Sequence, residues 1–320
     1  MRGFTLAELM IVLFLLGLLL GLPLALIERM DPGAKGLESS IASYIRASRD
    51  RARTTGDYVV VEPPTTDAGE FTRLIWRPVL EASFEAEMNA RHGVEELGPA
   101  TTGVAVGRFG AALDLRGGGG ARVAGRDGRF EFPEGLVLEL HFRSEQGDSG
   151  LLLDWPNLLR IEYRNNASLR CRLNVGHHDA FAVVQISTES GVALPGRWHH
   201  LKLRAADKRF SLWVDGLPVA SAEYDGNPAV PGDVPTLGDP QSDFIGMLDE
   251  FVVRARYREQ GPSLQDGSVV GLDPPGALRF DRDGLLDWVV HPGPVAITIY
   301  EFDEVIGGFK VGRFAEEDHQ

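Results

Sequence analysis

The sequence predicts an α+β protein, a long N-terminal helix followed by antiparallel β-structure. Two observations carry this. An almost uninterrupted apolar run fills residues 4–27, and apolar residues continue at helical spacing as far as Ala52. Beyond residue 56 the pattern changes to short alternating stretches punctuated by Gly, Pro, Asn and Asp, the signature of strands and turns.

The first segment reads MRGFTLAELMIVLFLLGLLLGL. At ~1.5 Å per residue, a helix from Phe4 to Ile27 reaches across a hydrocarbon core of ~30 Å. The run exceeds the ~7–15 apolar residues of a secretory signal, and ALIERMDPG after it offers no small-residue cleavage site. Arg2 precedes the span, so the bulk of the chain is expected on the far side of the membrane. Pro23 can kink such a helix without ending it. Glu8 is the anomaly. A carboxylate at membrane depth costs at least ~2.5–3.5 kcal/mol and calls for a partner. No Lys or Arg of the helix lies within a turn of it, so the simplest partner is an amine on another copy of the chain.

The stretch Arg2-Gly3-Phe4-Thr5-Leu6-Ala7-Glu8 resembles the class III signal of type IV pilins and type II secretion pseudopilins. The resemblance implies cleavage after Gly3 by a prepilin peptidase and N-methylation of the new terminus, Phe4. It implies that Glu8 pairs with the Phe4 amine of a neighbouring subunit during filament assembly. Other pilins or pseudopilins would be partners. The location would be the bacterial inner membrane, single-pass, with the bulk periplasmic or extracellular.

Leu37, Ile41, Tyr44, Ile45, Ser48 and Ala52 recur at three- and four-residue spacing, one face of an amphipathic helix. DPGAKG (31–36) is rich in breakers and is expected to interrupt the rod. Arg46, Arg49, Arg51 and Arg53 read as a solvated face. DYVVVEPP (57–64) reads as a strand, and FTRLIWRPV (71–79) as its hairpin partner.

From residue 80 glycines multiply and short alternating runs follow. They are GRFEFP (128–133), LVLELHFRSE (136–145), GLLLDW (150–155), LLRIEYRN (158–165), SLRCRLNV (168–175), FAVVQIST (181–188) and WHHLKLRAA (198–206). RFSLWVDGLPVASAE (209–223) and FIGMLDEFVVRAR (244–256) complete the set. Turns fall about every ten residues, the rhythm of an antiparallel sandwich. Asp215-Gly216 is a hairpin turn whose glycine accepts positive φ. Four segments in order, SFEAE, GRFGAALDLRGGG, GRWHHLKLRAADKRFSLWVDGLPVASA and FIGMLDEFVVRAR, resemble the laminin-G-like (concanavalin A-like) jelly-roll family. That implies a sandwich binding carbohydrate, protein or cell-surface ligands, in some members with calcium. Asp114, Asp249 and Glu250 stand at family-like positions as calcium ligands; the competing role for Asp249 is to cap turns or bind strand backbone.

Other chemistry finds little support. The net charge of −14 argues against nucleic acid as a partner. Cys171 is the single cysteine, so there is neither an internal disulfide nor a Cys-based zinc site, and its alternating context makes it a buried strand residue. His199 and His200 are adjacent strand residues on opposite faces and read as structure, as do His177 and His178. The acids of LDE (248–250) lack a second acid at strand spacing, and no Gly-x-Ser-x-Gly elbow or P-loop is present, so no enzyme is expected.

REQGPSLQDGSVVGLDPPG (258–276) reads as a linker. After it, ALRFDRDGLLD, VAITIYEF and GGFKVG resemble the terminal sheet of minor pseudopilins of the H class. The domains are then a leader (1–3), a transmembrane helix (4–27), helix continuation and first strands (28–79), the jelly roll (80–257), the linker and the C-terminal strands (277–320). Insertion of the jelly roll into a split pilin head is favoured over beads on a string. The fold class is thus a long N-terminal transmembrane and amphipathic helix packed on an antiparallel pilin sheet, with an inserted all-β sandwich. The function expected is a minor pilin or pseudopilin displaying a ligand- or carbohydrate-binding domain for adhesion. The alternative is a non-adhesive secretion component whose jelly roll contacts cargo or other pseudopilins.

Overall fold

A computed structural model describes residues 32–65, 69–85, 93–124, 130–145, 149–177, 180–239, 244–313 and 316–318. The leader, the 4–27 span, and with them Gly3, Phe4 and Glu8 lie outside the described residues.

The chain divides into two units, one of residues 1–74 and 259–320 and one of residues 75–258. The first begins with helix α1 (Pro32–Thr55) and strand β1 (Val59–Glu62), then the start of β2 (Glu70–Ala82). Proline is tolerated in a first helical turn, where its missing N–H has no intrahelical acceptor. Residues 32–36 therefore open the described helix, and what precedes Pro32 lies outside the described residues. Leu37, Ile41, Ile45, Ser48 and Ala52 are buried, the face that their spacing predicted. The Ser48 hydroxyl donates to the Tyr44 carbonyl at 2.7 Å, which satisfies it inside that face. Gly56 ends the helix at φ +64°, its N–H donating to the Ala52 carbonyl. Arg49 does not belong to a solvated face: it donates to the Gly312 carbonyl and lies over the Phe280 ring at 5.5 Å.

The second unit takes up the remainder of β2 and adds thirteen strands before the returning one. They are β3 (Val94–Leu97), β4 (Thr101–Val106), β5 (Ala111–Asp114), β6 (Gly119–Val123), β7 (Gly135–Ser144), β8 (Gly150–Trp155) and β9 (Leu159–Arg164). Then come β10 (Ser168–His177), β11 (Ala180–Ser187), β12 (His199–Ala206), β13 (Arg209–Val214), β14 (Leu217–Glu223) and β15 (Thr236–Asp239). β16 (Gly246–Ser263) carries the chain back. One sheet runs β14-β13-β12-β7-β16-β2, with β5 on β16 and β4 on β5; the other runs β11-β10-β9-β8-β15-β6-β3. Alternate residues of both face inward. Leu136, Leu138, Leu140 and Phe142 of β7 and Leu201 and Leu203 of β12 share one core with Ile161, Tyr163, Leu169 and Leu173. Cys171 is in that core, and burial pushes its thiol well up from the ordinary range.

Back in the first unit follow β17 (Ser268–Asp273), β18 (Leu278–Phe280), β19 (Val295–Glu301), β20 (Glu304–Val311) and β21 (Glu316–Asp318). β1 pairs with β18 and β2, and a separate sheet runs β17-β19-β20-β21.

Three expectations are corrected here. The α+β class with a long helix on a pilin sheet gives way to a mainly β protein, in which a 24-residue helix stands beside twenty-one strands among the described residues. The single-pass inner-membrane location is not supported, because among the described residues no helix is long and apolar enough to cross a membrane. The linker at 258–276 is largely strand: β16 runs to Ser263, and β17 follows after a short turn. The described part of GRFEFP, residues 130–133, is also not strand. Phe130 and Phe132 alternate because both rings pack edge-on against Trp155, at 4.9 and 5.5 Å.

Candidate functional site

The outward face of the β14-β13-β12-β7 sheet carries the site. Its side chains are the residues between the buried alternates: Glu139 and His141 on β7, His200, Lys202 and Arg204 on β12, Ser211 and Trp213 on β13. Two tight hairpins set their positions. Asp215 (φ +53°) and Gly216 (φ +81°) turn β13 into β14, as the sequence predicts. Asp207 (φ +55°) and Lys208 (φ +58°) turn β12 into β13. Two non-glycine residues in the left-handed region cost about 1 kcal/mol or more each. The Asp207 carboxylate offsets part of this by joining Arg204 at 2.5 Å and Arg256 at 2.6 Å.

Beside the Asp207-Lys208 turn lies a groove of about 550 Å³ lined by Arg204, Asp207, Arg209, Ser211, Trp213, Pro218 and Ser221, among others. The pairing of β13 with β14 shifts register at Leu212/Trp213, so Trp213 faces Pro218 while Leu212 faces Ala220. Such a bulge re-aims side chains, and Pro218, which has no N–H to offer a ladder, is tolerated on this edge strand. Arg209 donates to the Ser221 hydroxyl across the groove at 3.0 Å. Behind it Arg204 and Arg256 lie 5.9 and 5.5 Å from the Trp76 ring centre, a cation–π floor.

Beside the groove, Glu139 accepts from His200 at 3.2 Å and from Arg254 at 3.0 Å, and Lys202 stands at 3.2 Å. The His200 bond, then Lys202 and Arg254, hold the Glu139 carboxyl down at about 2 against the opposing effect of burial. His141 stacks on His200 with centroids 4.6 Å apart. Burial, with His200 and Arg108 nearby, lowers its pKa to about 4, so it is neutral near pH 7. His199 points the other way, with Nδ1 2.8 Å from Asp215 and Nε2 2.9 Å from the Leu194 carbonyl. The two histidines occupy opposite faces, as strand alternation requires.

The proposed calcium ligands lie elsewhere. Asp114 is held by Arg116 at 2.6–3.1 Å, which keeps its carboxyl below the usual range. Asp249 is fully buried and accepts the backbone N–H groups of Phe109 and Glu250 at 2.9 and 2.8 Å. Burial pushes the carboxyls of Asp249 and Glu250 up. Among the described residues no three His, Cys, Asp or Glu side chains gather as a metal site, and Asp114 and Asp249 already accept from protein donors. Their geometry fits the alternative role for Asp249, binding backbone.

No protein-family model matches the sequence, and no curated relative does. Among solved structures the chain is similar to the binding domain of Paraclostridial Mosquitocidal Protein 1, at 13% identity over 59% of this chain and 49% of that one, TM-score 0.44. It spans about half the length of that structure. It is similar to domain 4 of AbnA, an extracellular arabinanase from Geobacillus stearothermophilus, in complex with arabinotriose, at 17% identity over 59% and 95%, TM-score 0.42. Likeness to domains LG4-5 of the mouse laminin alpha1 chain is 18% identity over 40% and 39%, TM-score 0.33. All three scores fall below 0.5, and the groove's own chemistry is what speaks to its ligand.

Trp213 supplies a flat apolar surface, and Arg209, Arg204 and the two serines supply directed polar groups. Among the described lining residues Asp207 is the single carboxylate, and two guanidiniums clamp it. Sequence reading passed over Trp213, Lys202 and Arg204, although their every-second-residue spacing on consecutive hairpin strands marks them as one face.

Proposed function

We propose that the sandwich is a carbohydrate-binding module and that the groove beside Trp213 is its combining site. The observation that carries this is a partly buried indole on the outward sheet face, lining a groove of about 550 Å³ with arginine and serine groups. Sugar rings present an apolar C–H face and a rim of hydroxyls, which such a site matches. In a panel of glucan, xylan, arabinan and galacturonan oligosaccharides, the full chain should bind at least one. Trp213→Ala should weaken that binding more than about tenfold, equivalent to ~1.4 kcal/mol, with the melting temperature unchanged. Binding that ignores Trp213→Ala, or no binding to any series, refutes the proposal.

The motif Arg2-Gly3-Phe4 with Glu8 favours a further reading of the carrier as a minor pilin or pseudopilin that presents this module. It predicts a mature chain lacking residues 1–3 and methylated at Phe4. Intact-mass measurement of the protein from its native host checks this, and a chain starting at an unmethylated Met1 sinks it.

A further inference from the structure

We infer that the groove is one end of a longer track, and that the ligand is a run of several sugar units rather than a single terminal sugar. This rests on the carbohydrate reading above. The track starts at Trp213, crosses Lys202, Glu139 and His200, and ends at Phe109 over His141.

Phe109 decides the matter. It is 55% exposed, in the loop that joins β4 to β5, with its ring edge-on to His141 at 5.2 Å. Exposed phenylalanines on loops are ordinarily unconstrained. This one is pinned. The buried Asp249 carboxylate takes the Phe109 N–H at 2.9 Å, and Glu85 takes the Ala111 N–H at 2.6 Å. The loop's glycines make room for both acids: a Cβ on Gly107 would stand 2.6 Å from Asp249, and one on Gly110 2.0 Å from Glu85. Burying a carboxylate to fix a loop is costly. Here the result is an aromatic ring held in one place, facing water. Preorganisation of that kind serves a ligand.

The floor between the two aromatic ends has the matching character. Register sets Trp213 opposite Lys202, Lys202 opposite Glu139, and His200 opposite His141. Lys202, Glu139 and His200 keep a quarter to a third of their side-chain surface open, as a polar rail between two rings. From β13 to β7 is two strand spacings, roughly 10 Å, and the Phe109 ring stands a further 5.2 Å from His141, so the two aromatic ends lie farther apart than one sugar ring reaches.

The test is titration of the full chain with the same four oligosaccharide series, at lengths from two units to about five. For the series that binds, affinity should rise about tenfold or more between two and four units. Phe109→Ala should abolish that rise and leave the two-unit affinity unchanged, whereas Trp213→Ala should weaken both. Affinity that is flat with length, or a rise that survives Phe109→Ala, overturns the track while leaving the groove standing. Failure of every series to bind overturns both. Thermal melting of Phe109→Ala confirms that the fold is intact, which an exposed side chain leads one to expect.

Discussion

Trp155→Ala is expected to lower the stability of the sandwich by about 3–5 kcal/mol. Trp155 is 1% exposed and closes the core at the end of β8. Its ring is the common partner of Phe130 and Phe132, which come from irregular chain and have no ladder to hold them. Its indole N–H donates to the Asp233 carbonyl at 2.9 Å. Alanine removes the largest fully buried side chain, leaves a cavity lined by two unsupported rings, and orphans a carbonyl. Trp155→Phe separates these contributions. It refills most of the volume and loses chiefly the hydrogen bond, about 1 kcal/mol. Urea unfolding followed by far-UV circular dichroism measures both, and equal midpoints for wild type and Trp155→Ala would contradict the packing assignment.

Glu139→Gln is expected to cost about 2 kcal/mol at pH 7, and to cost less as the solution is acidified. Glu139 is the shared partner of His200, Lys202 and Arg254, and its carboxyl is held at about 2 instead of the ordinary 4.5. That gap corresponds to ~3 kcal/mol, which solvent reaching a partly open cluster reduces. The sign follows from linkage. The folded pKa is depressed, so the stabilisation is complete above about 4.5 and is lost as pH falls toward about 2. His141 acts over a separate window. Its folded pKa of about 4 lies below the ordinary 6.5, so the fold prefers it neutral, and stability is lost as pH falls from about 6.5 to about 4. Stability curves of wild type and Glu139→Gln should therefore run parallel through the upper window and converge below about 4.5. Curves that stay parallel throughout would show that Glu139 is not the group titrating.

Much of the sandwich was legible because alternation reports burial directly. LVLELHFRS, RIEYR and HHLKLRAA place their inward residues where the period of two puts them. The Asp215-Gly216 turn was legible for a local reason, since its backbone demands positive φ. Errors arose where pattern and cause separate. Phe130 and Phe132 of GRFEFP alternate because both reach one tryptophan, and the described residues 130–133 are not strand. The polar 258–276 stretch looks like a linker because its strands are partly exposed, yet β17 takes a full ladder from β19. The helix weighed too heavily in the fold class because long apolar runs dominate a sequence, whereas strands dominate the described structure. The groove was out of reach for another reason: Arg204, Trp213 and Ser221 meet only after β12, β13 and β14 pair, and the bulge at Trp213 depends on that pairing.

The enclosure of Cys171 has a practical consequence. It is the one native thiol in 320 residues, and it sits in the core with its sulfur protonated and shut away from solvent. The folded chain is thus silent toward thiol reagents, and no background substitution is needed before labelling. A cysteine introduced at Ser221 would react alone, and a fluorophore placed there would report occupancy of the groove from its rim.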